Sequence, residues 1–178
     1  LSIREPKVDF TIDPAPDEVH ARRLDEALES VIGNLQLDLS RWVLAAAIAQ
    51  LGRWRREGLE VDLAVNLSAP DIADGELPGR VLTLLQQHQV LSSQLLLEVT
   101  ESTIMNEPAL AAQVMQRLRS AGVRFAIDDF GTGHSSLAQL HSLPVDELKI
   151  DRAFVLNLER NASNQAIVRS TTELDLPD

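Results

Sequence analysis

The chain has 178 residues and carries 27 acidic against 16 basic side chains, a formal net charge of −11. An apolar fraction of 44% can fill a core, so the chain is not disordered overall. The charge argues against a broad nucleic-acid face, which needs clustered Lys and Arg, and zero cysteines exclude a disulfide scaffold, a Cys-ligated zinc and a thiol nucleophile.

An anionic ligand stays open, because a bound metal inverts the local field. No apolar run approaches the ~20 residues of a membrane span, and no signal peptide is read at the start. The expectation is one soluble, cytoplasmic domain. A complete eight-fold β/α barrel typically takes about 250 residues, more than this chain has.

In chain order, Leu1 to Thr11 reads as a strand and Asp13 to Asp17 as a turn or linker. Glu18 to Ser30 is predicted as a helix that Val31-Ile32-Gly33-Asn34 breaks. Leu39 to Glu57 is a second helix, with Trp42, Val43, Ala46, Ala49 and Trp54 at helical spacing and Gly58 at the cap. Its two Trp read as core and surface packing.

Strands follow at Val61 to Leu67, Leu95 to Val99, Val123 to Ile127 and Glu147 to Ile150. The helices between and after them are Pro78 to Gln89, Pro108 to Ala121, Ser135 to His141 and Asn164 to Leu174. The strands read as continuous apolar runs, which marks burial on both faces in a parallel sheet. Repeating β-α units predict an α/β fold, either a doubly wound sheet or a β/α barrel.

The C-terminal ends of these strands carry polar groups in series. Asn66 ends the first, Glu98 the second with Glu101 beyond, Asp128 and Asp129 the third, and Lys149 the fourth with Asp151 after it. In β/α barrels that edge holds the chemistry. Asn, Asp and Glu oxygens suit hard cations such as Mg²⁺ or Mn²⁺. Adjacent Asp128 and Asp129 repel unless a cation or Lys149 neutralises them. Lys149 is also placed to orient a water, and carboxylates around a metal pair are a recurring means of hydrolysing phosphodiesters.

Taken singly, each carboxylate has a plainer use as a helix cap or turn former, and Asp151 fits a cap best. Gly131-Thr132-Gly133 alone marks only a tight turn. His20, His88 and His141 read as solvated. Four strand ends in series are poorly explained by capping alone.

Val65-Asn66-Leu67-Ser68-Ala69, Leu97-Glu98-Val99-Thr100-Glu101-Ser102, Ile127-Asp128-Asp129-Phe130-Gly131-Thr132-Gly133 and Leu143-Pro144-Val145-Asp146-Glu147-Leu148-Lys149-Ile150-Asp151 resemble the EAL-domain family. Arg41-Trp42-Val43-Leu44 fits that family's preceding helix, and the resemblance covers residues 38–172 of a single domain spanning 1–178. The family comprises bacterial phosphodiesterases that open cyclic di-GMP to linear pGpG.

The resemblance implies a modified TIM-type (β/α) barrel with two divalent ions, Mg²⁺ or Mn²⁺. It implies Asn66, Glu98 and Asp128 as metal ligands, and Asp129 as the group approaching the second metal. Lys149 would hold or deprotonate the attacking water, Glu101 would steady the loop after the third strand, and Asp151 is a further acidic position. It also implies a homodimer formed near the loop after Asp129, and an attached sensor or GGDEF domain.

Departures go with the likeness. Glu26-Ala27-Leu28 spells the family's name motif, but in a charged helical stretch without the following Arg, and reads as coincidence. Glu5-Pro6-Lys7 stands where the family has Gln-Pro-Lys, and His134 where it has Tyr. The family's later catalytic Glu and Gly-rich region have no counterpart before Asp178. Three readings follow: a phosphodiesterase, a degenerate cyclic di-GMP receptor or regulatory module, and a scaffold for other interactions. Taken alone, the 178-residue chain is expected to show weak or no activity.

Overall fold

The computed structural model describes residues 18–131, 143–156 and 158–172. The predicted strand Leu1 to Thr11, the Asp13 to Asp17 turn, the helix Ser135 to His141 and His134 lie outside the described residues. Helix α1 (Glu18–Arg56) leads into β1 (Leu63–Leu67), α2 (Ala69–Ala73), α3 (Leu77–His88) and β2 (Leu95–Thr100). Then come α4 (Glu101–Asn106), α5 (Pro108–Arg119), β3 (Arg124–Phe130), β4 (Glu147–Ile150), α6 (Arg152–Val155) and α7 (Ala162–Thr172).

The break expected at Val31 to Asn34 is absent: α1 runs without interruption through it. No proline lies between Pro16 and Pro70, so no residue forbids the helix. Gly33 costs only ~1 kcal/mol relative to Ala at such a position. The helix stops where the sequence places its cap. Gly58 has φ of 81°, its amide donates to the Arg55 carbonyl at 3.1 Å, and the Leu59 amide donates to the Trp54 carbonyl at 2.9 Å. That pair of bonds is the left-handed C-terminal closure that favours glycine.

Among the described residues, the sheet has four parallel strands in the order β1-β2-β3-β4. Parallel neighbours need long crossovers, which α2–α3 and α4–α5 supply. Asn66 pairs in register with Glu98, Leu97 with Phe125, and Thr100 with Asp128. Strand alternation therefore divides the sheet cleanly. Val65, Leu97, Val99, Phe125 and Ile127 join the core with Leu44, Ile48 and Leu51 of α1, Val81 and Leu85 of α3, and Met115 and Leu118 of α5. Asn66, Glu98, Asp128 and Lys149 belong to the opposite face.

Burial on both faces holds for β2, but β1 lies at the edge of the described sheet, with Ala64 and Asn66 exposed. On α1 the inward residues are Leu44, Ile48 and Leu51, whereas Trp42 is 68% exposed. Trp54 packs against the core and Trp42 stands on the surface, as the helical period led one to expect of the pair. The core face lies on the far side of the helix from Trp42.

Asp74, just after α2, ties three elements together. It accepts from Arg80 at 2.7 Å and from Arg41 of α1 at 3.1 Å. Burial would raise its carboxyl, but the Arg80 bond, the Glu76 amide and Arg41 outweigh it and hold Asp74 below the usual aspartate range. A depressed folded-state value stabilises above the unfolded value near pH 4 and is lost as pH falls through the folded value. Asp74→Asn is expected to cost about 1 kcal/mol at pH 7 and less at pH 3, below the unfolded value. Urea titrations of both proteins at the two pH values check this; an equal gap at both would sink it.

Candidate functional site at the C-terminal strand ends

Each polar strand-end residue is placed by its own strand and by the turn that follows. Asn66 precedes the exit from β1, which is fixed at once. The Ser68 amide and hydroxyl both donate to the buried Asp71 carboxylate, at 2.7 and 2.5 Å. A cleft of about 430 Å³ runs along this strand, lined by Asn66, Leu67 and Ser68 and by Leu39 and Val43 of α1.

Glu98 sits mid-strand in β2 and its side chain is only 7% exposed. A buried carboxylate needs a partner, and Lys149 of β4 donates to it across the intervening β3. This differs from the sequence expectation, in which Lys149 neutralises Asp128 and Asp129. The reason is placement: Glu98 is the buried acid on that face, whereas Asp129 is exposed. The Glu98 bond, together with the charges of Glu98, Asp128 and Glu147, outweighs desolvation and raises Lys149 above the ordinary lysine value.

The adjacent aspartates occupy an irregularity that the sequence did not announce. Ile127 pairs with Leu148 and Phe130 with Ile150, so three steps on β3 face two on β4. Asp129 takes φ of 53°, a conformation that Asp tolerates better than most residues. Such a bulge re-aims side chains at the rim of a sheet. Desolvation and the charges of Asp128 and Asp151 push the Asp129 carboxyl above the usual aspartate range, and a hydrogen bond with Asp151 acts in the same direction. Asp151 also caps α6, accepting from the Ala153 amide at 2.6 Å, as expected from sequence.

Glu101 opens α4 and is 2% exposed. It accepts from the Gly131 amide at 3.1 Å, which ties α4 to the first residue after β3. Gly131 has φ of 98°, and a Cβ there would lie 2.9 Å from the Phe154 ring of α6. Gly131→Ala is expected to cost about 1–3 kcal/mol from strain and contact together. Thermal unfolding of that variant checks this, and an unchanged midpoint would contradict it.

Phe154 and Asp146 were not singled out from sequence. Asp146 accepts from the Phe125 amide at 2.8 Å and donates its own amide to the Phe125 carbonyl at 2.9 Å, locking the entry of β4 onto β3. A lone Asp in a loop carries no signal of such a clasp. His88 is half-buried rather than solvated, whereas the side chains of His20 and His141 lie outside the described residues.

The donor chemistry bears on a metal. Asn66, Glu98 and Asp128 place one amide and two carboxylates on one face, a set suited to a hard divalent cation. Among the described residues, no three His, Asp or Glu side chains cluster to hold a metal ion. Two carboxylates and one amide leave most of the shell of any divalent ion there to water and substrate phosphate, as Mg²⁺ commonly has it. Such an ion and Lys149 would both draw on the Glu98 carboxylate.

The EAL domain family model matches residues 13–174. The bifunctional diguanylate cyclase/cyclic di-GMP phosphodiesterase MucR of Pseudomonas aeruginosa is 40% identical over 141 residues, covering 79% of this chain and 21% of MucR. The solved cyclic di-GMP complex of the PaMucR phosphodiesterase superposes with a TM-score of 0.72 at 38% identity, over 84% of this chain and 60% of that one. The Klebsiella pneumoniae BlrP1 calcium/cyclic di-GMP complex does so with a TM-score of 0.65 at 30% identity, over 74% and 33%. The chain spans about a quarter or less of its curated relatives, 23% of one from Mycobacterium tuberculosis and 19% of one from Azorhizobium caulinodans.

Proposed function

We infer, from the premise that this chain belongs to the EAL domain family, that its strand-end face binds cyclic di-GMP and hydrolyses it to pGpG. Its fold is the α/β, TIM-like fold of that family. The observation that carries the reading is the placement of Asn66, Glu98, Asp128 and Lys149 on one face, at the C-terminal edge of four consecutive strands. Residues 38–172 form the unit that bears this site, within one domain.

Asn66, Glu98 and Asp128 are the candidate ligands of Mg²⁺ or Mn²⁺, with Asp129 beside a second ion. Bound there, the ions would polarise the phosphodiester and acidify a water. The remaining work falls to side chains. Lys149 suits holding or deprotonating the attacking water, beside the charge that develops on it. Glu101 fixes the Gly131 amide and with it the loop that follows. Asp151 anchors α6 and shares a hydrogen bond with Asp129. The reading carries with it a cytoplasmic setting and an attached sensor or GGDEF domain. No described helix is long and apolar enough to cross a membrane.

One observation favours binding without turnover. Lys149 pairs with Glu98, so a candidate metal ligand is already engaged. Incubation with cyclic di-GMP and Mn²⁺, followed by chromatography, separates the readings. Appearance of pGpG supports hydrolysis. Binding by calorimetry without product supports the receptor, and no binding removes both.

A further inference from the structure

Lys149 stands where the ladder between β3 and β4 does not hold it. Ile127 pairs with Leu148 and Phe130 with Ile150, so Lys149 falls between the two pairs, opposite the bulge. Its strand is short, four half-buried residues, and packing alone holds such a strand weakly. Strain sits in the same place. Asp129 takes a left-handed backbone, which a residue other than glycine keeps only where its surroundings over-determine it.

Two fixed points supply that constraint. Beyond the bulge, the Asp151 amide donates to the Phe130 carbonyl at 3.2 Å. Ahead of it, Asp146 engages both backbone groups of Phe125. Its carboxylate accepts from the Phe125 amide at 2.8 Å, and its own amide donates to the Phe125 carbonyl at 2.9 Å. The side-chain bond stands in for a backbone one. The Val145 amide donates to the Leu143 carbonyl at 3.0 Å, so the chain ahead of β4 is already turned out of strand geometry. Phe125 is fully buried, so its amide needs an acceptor, and the Asp146 carboxylate is that acceptor. The other Asp146 oxygen lies 3.5 Å from the Arg119 guanidinium at the end of α5. One carboxylate thus sets the start of β4 against both β3 and α5.

We propose that Asp146 is the positioning residue for Lys149: by pinning the start of β4 to Phe125 it keeps the bulge, and with it the lysine on Glu98. Asp146 lies three residues before Lys149, about 10 Å along a strand, and acts through it. Without the clasp the two strands can pair residue for residue. That pairing relieves Asp129 and moves Lys149 one place along β3, away from Glu98. The consequence for turnover rests on the reading of Lys149 as a group of the hydrolytic site; the placement of the lysine does not.

Two measurements separate these. Lys149 is one of only two lysines in the chain, with Lys7, so acetylation by acetic anhydride is read at Lys149 by peptide mass spectrometry. Asp146→Ala should speed acetylation of Lys149 at least about threefold, with Lys7 as the internal reference. Asp146→Asn keeps an oxygen that accepts from the Phe125 amide and should stay close to the unmodified protein. Asp146→Glu sets its carboxylate one carbon further out and should act in the same direction as Asp146→Ala, which covers the case of an alanine variant that does not fold. With cyclic di-GMP and Mn²⁺, well below each thermal midpoint, Asp146→Ala should lower kcat for pGpG about tenfold with KM little changed, and Asp146→Asn should restore it. Acetylation of Lys149 that is unchanged in the folded Asp146→Ala or Asp146→Glu protein overturns the proposal. So does an Asp146→Asn protein as damaged as Asp146→Ala. Faster acetylation in a protein that forms no pGpG upholds the positioning and removes the hydrolytic reading alone.

Discussion

Asp128→Ala and Lys149→Ala are each expected to lower pGpG formation by about a thousandfold, the scale of losing one preorganised charge at a reacting phosphate. The two losses have different origins. Asp128 contributes a carboxylate at the β3 bulge, so its removal should also weaken Mn²⁺ binding, read by calorimetry. Lys149 contributes the cation beside Glu98. Its removal strands a carboxylate that is 7% exposed. Because the Lys149 side chain is itself 38% exposed, solvent moderates that penalty to about 1–2 kcal/mol. Adding Glu98→Gln to Lys149→Ala should restore most of the stability and none of the turnover. If either single variant kept full activity, its assignment to the chemistry would fall. Where turnover is too slow to follow, Mn²⁺-dependent binding of cyclic di-GMP gives the same comparison.

Phe125→Ala is expected to be the most damaging single change to the fold, costing about 3–5 kcal/mol. Phe125 is fully buried between the sheet and its helices. Native domains hold only about 5–15 kcal/mol in total, so this is a large share. For a chain of this size the thermal midpoint should drop by roughly 10 °C. The same backbone position accepts the Asp146 clasp that starts β4, so loss of the ring also loosens the strand that delivers Lys149. Leu91→Ala, at an exposed position, should stay within about 0.5 kcal/mol. Thermal unfolding of the two variants side by side checks this, and equal midpoints would contradict the burial argument.

Much of this arrangement was legible beforehand. The four strands were found because Leu95 to Val99 and Val123 to Ile127 are apolar runs between helical patterns. Their polar ends were found because a buried run that stops at Asn, Glu or Asp is conspicuous. The short helices α2, α4 and α6 were not found, because four to six residues are too few to show a period. The continuity of α1 was missed because a Gly-Asn pair looks like a stop, although only proline is strong enough to impose one here. The bulge was invisible because it is a mismatch between two strands, and neither strand records it alone.

The amino-acid sequence by itself determined the parallel α/β order, the family, and which side chains stand at the strand ends. These follow from local period and motif. The tertiary structure decided which of those side chains interact. It gave Lys149 to Glu98, because Glu98 is the acid that burial leaves in need of a cation. It turned Asp129 into the left-handed region beside Asp151, because β3 carries one residue more than β4 can match. It turned Leu44, Ile48 and Leu51 of α1 inward and not Trp42, because the inward face of a helix is chosen by what packs against it.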